Sequence, residues 1–386
     1  MTVYIASSAR SPIGKFGGSM VGQKIVDVAA KATVEALLRA NISPQEVDET
    51  IFGTAILAGL GPNPARQVAL NAGLSPNSPA ITVSAQCISG MKAVEMAWER
   101  ITLGKAHVVV AGGMESLSNV PYLVHRARWG ARIGDFSIHD AIYHDSLMDP
   151  SCHCHIGITV EEVAKTYGIT REEVDSLAFA SHSKALRNRT KLAEEILPLK
   201  IQDRKWLEID ESVRSDCDMA TLAKLPGTLR EGGLITAGNS PGLTDAAIAV
   251  VLVSEDILRE REIMPLGRIM AAATTAVEPA KMALGPVAAI RKVLSLTDFS
   301  LNDIELFEIN EAFGAQVCIC LREMPLPLEK LNVNGGAIAL GHPFGFTGAR
   351  LITTLLYELR RRGGGRGIAA TCSGGGPAMA GVVESH

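Results

Sequence analysis

At 386 residues, with 47% apolar and 20% charged side chains, the chain is long enough for two or three domains or for one large duplicated core. A formal net charge of −4 leaves no basic footprint for nucleic acid, and 4% aromatic content argues against a sugar-binding groove or a base-stacking platform. Seven cysteines, odd in number and irregularly spaced, form no disulfide framework and point to a reducing, cytoplasmic compartment with a thiol free for chemistry.

The N-terminal MTVYIASSAR lacks the basic head and apolar stretch of a signal peptide and reads as a first strand. A helical pattern over Gln23–Ala40 follows, then the strand TIFGTAI. Another strand ends near Ser84, and a helix with apolar Met91, Val94, Ala97 and Ile101 begins near Ser89, leading to the strand AHVVVAGG. Residues 118–237 are of mixed character and hold His125, His139, His144, His153, His155 and His182; they read as an inserted lobe able to grip a ligand. Within it, a helix is expected over Arg171–Lys191, with Thr170 as its cap. AAIAVVLV at 246–253 suits a buried strand and is too short to cross a bilayer. LFEIN and GIAATC complete the strands, and the alternation indicates an α/β fold with helix-covered sheets.

Val83–Gly113 and Asn332–Gly376 echo one another: each runs through a turn with a reactive residue, a helix, a glycine, a strand and a glycine pair or triplet. EVDETIFGTAI and LNDIELFEINE form a smaller matching pair. Such spacing suggests two copies of one α/β unit facing each other.

Three polar residues occupy turns inside these units. Cys87 lies at a strand-to-helix turn, where the helix dipole favours the thiolate and lowers the pKa; read alone, it suits an inert core cysteine as well. Cys372 precedes three glycines, whose N–H groups can converge as an anion-binding nest or simply make a tight turn. His342 sits in GGAIALGHPFG as a turn histidine or as a base. Taken together they predict one cleft, in which His342 meets Cys87 and holds it as a thiolate. SCHCH at 151–155 packs its donors too tightly to chelate one tetrahedral ion and reads as a loop. RRRGGGRG lacks a GK[ST] ending and precedes a strand, which argues against nucleotide binding.

At these residues the sequence resembles the thiolases, the acetyl-CoA acetyltransferase and 3-ketoacyl-CoA thiolase family. SARSPIGKFGG, CISGMKAV, AGGMESLSNVPYL, HIGITVEEVAKTYGITREEVD, ITAGNSPGLTDAA, EINEAFG, GGAIALGHPFG and TCSGGG all stand in the family's order. The resemblance implies a five-layered αβαβα fold of two mixed-sheet halves. Residues 1–117, completed by 238–258, would form the first half, 118–237 the inserted loop domain, and 259–386 the second half. It implies a homodimer or homotetramer, with coenzyme A as substrate and no cofactor or metal. Cys87 would be the acyl-accepting nucleophile and Cys372 the acid and base for the carbanion. His342 would activate Cys87, and Asn310 would hold a water in one oxyanion hole. The N–H groups of Cys87 and Gly374 would form the other. His155, Leu229, Ser240 and Gly242 match positions near the pantetheine arm.

Some positions depart from the family pattern: Ile88 after the nucleophile, Ser240-Pro241-Gly242, Lys224–Leu229, Pro377-Ala378, and Phe344 and Phe346 beside the histidine. The two phenylalanines suggest a larger or aromatic acyl group, as in a benzoylsuccinyl-CoA thiolase, which works with a small accessory subunit; they serve equally as packing. The alternatives are an ordinary acetoacetyl-CoA thiolase, and a non-catalytic acyl-CoA-binding subunit. A ketoacyl synthase would pair one cysteine with two histidines or with a histidine and an asparagine, and Cys372 in its glycine turn favours a thiolase.

Overall fold

The computed structural model describes residues 2–202 and 205–386. Nine strands lie in one path: β1 (Val3–Arg10), β2 (Glu49–Gly53), β3 (Ala80–Val83), β4 (Val108–Ser116), β5 (Thr244–Ser254), β6 (Gly267–Ala276), β7 (Leu306–Ile309), β8 (Gly365–Cys372) and β9 (Pro377–Ser385). Their spatial order is β7-β8-β9-β6-β1-β5-β4-β2-β3. The path divides at its middle, where β1 meets β6 in a short register of Tyr4–Arg268 and Ile5–Gly267.

On either side of that seam the same pairing recurs. β5 runs antiparallel to β1 and β4, and β4 is parallel to β2. β9 runs antiparallel to β6 and β8, and β8 is parallel to β7. The segments that echo in sequence therefore occupy equivalent places in two mixed sheets.

The helices that matter here are α1 (Ile25–Ala40), α2 (Ser89–Thr102), α3 (Ile156–Thr166), α4 (Arg171–Arg187), α5 (Gly285–Leu294) and α6 (Phe344–Arg361). β5 shows why its sequence is apolar throughout. Ala247, Ala249, Val251 and Val253 face α1, whereas Ala246, Ile248, Val250 and Leu252 face the α2–α6 side. A strand covered by helices on both faces loses the alternation of a half-exposed one. α5 covers the outer face of the second sheet with Ala289, Ile290 and Val293. The layers are thus α1, first sheet, α2 with α6, second sheet and α5, the expected five-layered α/β architecture.

The central helices approach closely because glycine lets them: a Cβ at Gly348 of α6 would lie 2.6 Å from the backbone nitrogen of Met91 in α2. Local signals account for most ends. α1 begins at Ile25 rather than Gln23, since Lys24 is extended. Thr170 and Glu173 form a capping box at the start of α4. That helix stops at Arg187, and Asn188 separates it from a short helix over Arg189–Ala193.

Candidate active site

β3 delivers the chain to a short turn, Gln86–Ile88, from which α2 departs. Ser89 closes this turn: its Oγ accepts from Ala85 N at 2.8 Å and donates to Gln86 O at 2.6 Å. Gln86 adopts a left-handed φ of 53°, so Cys87 is carried on a sharp elbow. The corresponding turn of the second sheet follows β8. Its glycines Gly375 and Gly376 have φ of 82° and 96°, and Ser373 Oγ donates to Ala85 O at 3.3 Å. The two elbows are stitched together, so the amides of Cys87 and Gly374 lie near enough to the Cys87 sulfur to favour its thiolate.

The expected low pKa of Cys87 is not what this environment produces. Burial, followed by the nearby Glu115 carboxyl, pushes the thiol up to about 12, and the two amide donors offset this only in part. The helix terminus favours a thiolate, but withdrawal from water opposes it more strongly. Cys372 is fully buried behind Cys87, and burial together with the proximity of that sulfur raises its pKa as well.

His342 follows Gly341, whose φ of 108° lets the chain turn sharply before Pro343. Burial and the charge of Arg350 depress the imidazole to about 3, which keeps it neutral. Its hydrogen bonds form a directed relay. Asn310 Nδ2 donates to Nε2 at 3.3 Å, Nδ1–H donates to Thr347 Oγ1 at 2.7 Å, and Thr347 donates to Pro343 O at 2.9 Å. Nε2 therefore holds a lone pair, the state of a base. Asn310 Oδ1 is buried and has no partner among the described residues. The predicted hold on Cys87 as a resting thiolate is thus replaced by a neutral thiol beside a neutral imidazole.

Cys87, His342 and Gly374 line a cleft of about 410 Å³, which also receives His155, Leu229, Ser240 and Gly242 from the segment between β4 and β5. Cys372 and Asn310 are fully buried rather than part of its surface. His155 caps α3, with Nδ1 accepting from Gly157 N at 3.0 Å; burial lowers its pKa, so Nε2 carries the proton of a neutral ring. Ser240 Oγ donates to Thr236 O, and among the described residues no donor reaches its lone pairs. Beyond Ser240 and Gly242 the wall continues into a second depression of about 550 Å³ that includes Lys15 and Arg214.

The two departures beside the histidine separate in space. Phe344 meets the cleft and packs edge-on to His342, with ring centroids 5.2 Å apart, whereas Phe346 is wholly buried between the sheets. SCHCH forms a hairpin end, where Asp149 Oδ1 accepts from Ser151 N and Cys152 N at 2.8 and 2.9 Å. Among the described residues, no group of three or more His, Cys, Asp or Glu side chains is arranged around a metal position.

Sequence reading missed Ser89, Thr347 and Glu115. Glu115 is buried and accepts from Ala55 N at 2.7 Å, Ile56 N at 3.2 Å, Thr54 Oγ1 at 3.1 Å and Gly345 N at 2.8 Å. It clamps the start of α6, and so the histidine turn, to β4 and the segment that follows β2; burial raises its pKa to about 7. The signal available was an acidic residue next to the end of a strand, β4, that is apolar up to that point.

Comparison with known proteins gives one consistent result. The family profile described as "Thiolase, N-terminal domain" matches residues 3–256, and "Thiolase, C-terminal domain" matches residues 263–385. Acetyl-CoA acetyltransferase of Cupriavidus necator is 42% identical over 388 residues, covering 99% of both chains. A probable acetyl-CoA acyltransferase of Staphylococcus aureus is 40% identical over 390 residues, covering 100% of this chain and 99% of that one. Among solved structures, Bacillus anthracis acetyl-CoA acetyltransferase is similar at a TM-score of 0.96 and 41% identity, covering 100% of this chain and 99% of that chain. Human mitochondrial 3-ketoacyl-CoA thiolase reaches a TM-score of 0.97 at 34% identity, covering 100% of this chain and 98% of the other.

Proposed function

Because this chain belongs to the thiolase family of acyltransferases, we propose that it cleaves a 3-ketoacyl-CoA with coenzyme A, or runs the reverse condensation, through an acyl group carried on Cys87. The observation that carries this reading is the meeting of Cys87, His342 and Gly374, delivered from three separate turns, in one cleft.

In the proposed sequence, the Cys87 thiol gives its proton to His342 Nε2 as sulfur attacks the keto carbon. The tetrahedral oxyanion accepts from the Cys87 and Gly374 amides; a donor of this kind is worth about 3 kcal/mol to the transition state. The carbon–carbon bond then breaks, its electron pair leaving as a thioester enolate. That enolate oxygen accepts from the new His342 Nε2–H and from a water on Asn310, whose unpartnered Oδ1 supports such a contact. Cys372 protonates the carbanion and is left as a thiolate. It then takes the proton of the incoming CoA thiol as that sulfur attacks the acyl carbon; the Cys87–acyl bond breaks, and the departing Cys87 sulfur recovers its proton from His342. Each step is supplied by side chains and backbone amides, with CoA entering as a substrate.

The pantetheine arm runs along Leu229 and the Ser240–Gly242 turn, with His155 Nε2–H as donor. The nucleotide end reaches the adjoining depression, where Lys15 and Arg214 suit its phosphates.

Acetoacetyl-CoA is the substrate we favour, supported by the relatives named acetyl-CoA acetyltransferase. An aryl pocket loses half its basis because Phe346 lies in the core, and Phe344, which does line the cleft, is buried edge-on against His342. A homodimer or homotetramer in the cytoplasm completes the reading, supported by the outer edge of β3, where Ile81 is exposed, and by seven unpaired cysteines.

The test is thiolysis of acetoacetyl-CoA, with mass spectrometry of the protein. Wild type should cleave the ester, Cys87→Ala should carry no acyl group, and Cys372→Ala should take acetyl from acetyl-CoA yet make or break no carbon–carbon bond. Full turnover by both variants would overturn the roles.

A further inference from the structure

We propose that Gln86 is a positioning residue that couples the acyl-facing wall of the inserted lobe to the nucleophile, an inference that rests on the thiolase reading above. Its backbone is the first observation. Directly before Cys87, a φ of 53° is a conformation that glycine or asparagine adopts at little cost and glutamine does not favour. A local preference broken at such a place needs a compensating contact.

That contact lies across the cleft. Gln86 Nε2 donates to Asp145 O at 2.7 Å, and Oε1 accepts from Ser146 Oγ at 2.7 Å. Both ends of one amide are therefore held by the turn Tyr143–Leu147, while the Gln86 carbonyl accepts from Ser89 and closes the elbow that carries Cys87.

The same turn faces the cleft proposed above for the substrate. Tyr143, Ser146 and Leu147 line the catalytic cleft, and Leu147 packs against the apolar cluster that contains Cys87 and Phe344. An acyl chain seated against Tyr143 and Leu147 presses on the segment that holds both ends of the Gln86 amide. The amide passes that contact to the elbow, and the elbow sets where the sulfur lies relative to the Cys87 and Gly374 amides. Gln86 touches no reacting atom; it acts through Cys87.

A purely structural role and a coupling role differ in kinetics. Structural loss lowers stability and slows every substrate alike, whereas coupling makes the loss grow with the acyl surface that reaches the turn. The experiment compares wild type, Gln86→Met and Ser146→Ala with linear 3-ketoacyl-CoA esters of four, six and eight carbons, alongside melting temperature and the rate of Cys87 alkylation by iodoacetamide. Gln86→Met keeps the bulk and removes both hydrogen bonds; Ser146→Ala removes one and leaves Gln86 in place, so it serves if the first variant folds poorly. The expected result is a kcat loss of about twofold with the four-carbon ester rising to about tenfold with the longer ones, with KM changing less. Ser146→Ala should show the same trend at smaller size, and alkylation should slow in both variants. A loss equal for all chain lengths, or a wild-type alkylation rate in both variants, overturns the proposal. Failure of the thiolase reading is separate: wild type would then cleave none of the esters, while the alkylation rates would still report on the positioning of Cys87.

Discussion

Asn310 and His342 meet side chain to side chain, with the amide Nδ2 3.3 Å from the imidazole Nε2. This contact fixes the proton on Nδ1, where Thr347 Oγ1 accepts it at 2.7 Å. Replacing Thr347 by valine keeps the shape and removes the acceptor, which leaves the buried Nδ1–H without a partner and loosens the ring's orientation. We expect kcat to fall about tenfold, the cost of one oriented buried hydrogen bond. Asn310→Ala also removes the contact proposed for the enolate and should cost about 10²- to 10³-fold. Steady-state thiolysis of acetoacetyl-CoA checks both, and a larger loss for Thr347→Val than for Asn310→Ala would reverse the assigned order.

The pKa directions at the cleft predict how Cys87 responds to pH. Its thiol is raised from 9.0 to about 12, and His342 is lowered from 6.5 to about 3. Between those values both groups are neutral, so the thiolate fraction grows with pH. Iodoacetamide should modify Cys87 at a rate that climbs about tenfold per pH unit from pH 6 to pH 9. A resting thiolate–imidazolium pair would instead give a flat rate across that range. The readout is the alkylation rate measured against pH, with acetyl-CoA protection identifying the site.

Arg10 predicts where stability resides. It is wholly buried, bonded through Nε to Glu195 at 3.1 Å and through both terminal nitrogens to Asp210 at 2.8 and 3.0 Å. These partners lie on the long segment between β4 and β5 and Arg10 in β1, so the ion cluster fastens that segment to the sheet. Arg10→Ala strands two buried carboxylates and should destabilise the fold by about 3–5 kcal/mol. Chemical denaturation measures this, and a change below about 1 kcal/mol would mean that water reaches the cluster.

How much of this was legible follows from where the determining contact lies. β5 could be read from its own residues because both its faces are covered, and α4 could be read from Thr170 and Glu173 because the cap is local. The end of that helix could not: Asn188 Nδ2 donates to Lys184 O and also to Val333 O, far along the chain. The reactive residues stood out through their glycine turns, yet the sign of the Cys87 shift was misread, since a dipole is visible in sequence and burial is not. Thr347 was hidden for a different reason. A threonine inside a helix bonds back to a carbonyl as a matter of course, and only coordinates show that its oxygen also receives His342.

His155 gives a prediction for CoA binding. Its Nδ1 is committed to Gly157 N and its ring is neutral, so Nε2–H is the donor left for the cleft. His155→Ala should raise KM for CoA about fivefold, as expected for one neutral hydrogen bond, and lower kcat less. Thiolysis rates against CoA concentration test it, and an unchanged KM would remove His155 from the pantetheine path. The same substitution also deletes a cap of α3, so melting temperature must be followed in parallel; a capping loss alone costs about 1 kcal/mol and leaves KM where it was.

Phe344 decides between a narrow and an extended acyl site. Its ring stands edge-on to His342 at 5.2 Å and is 5% exposed, packed with Ile142, Leu117 and Leu147. In this position it occupies volume next to the imidazole that an acyl chain would need, so the wild-type cleft should favour the acetyl group. Phe344→Ala removes most of a phenyl ring and should cost about 3–5 kcal/mol of stability if the gap stays empty. Phe344→Leu is the milder probe, keeping the apolar wall while opening its end. The leucine variant should therefore gain on six- and eight-carbon 3-ketoacyl-CoA esters relative to acetoacetyl-CoA by about tenfold in kcat/KM, the size of one or two methylenes admitted to an apolar pocket. If the aromatic ring instead served as a platform for an aryl acyl group, wild type would cleave aryl esters well and the leucine variant would lose them through the missing ring contact. The two outcomes move selectivity in opposite directions, so one panel of linear and aryl esters distinguishes them.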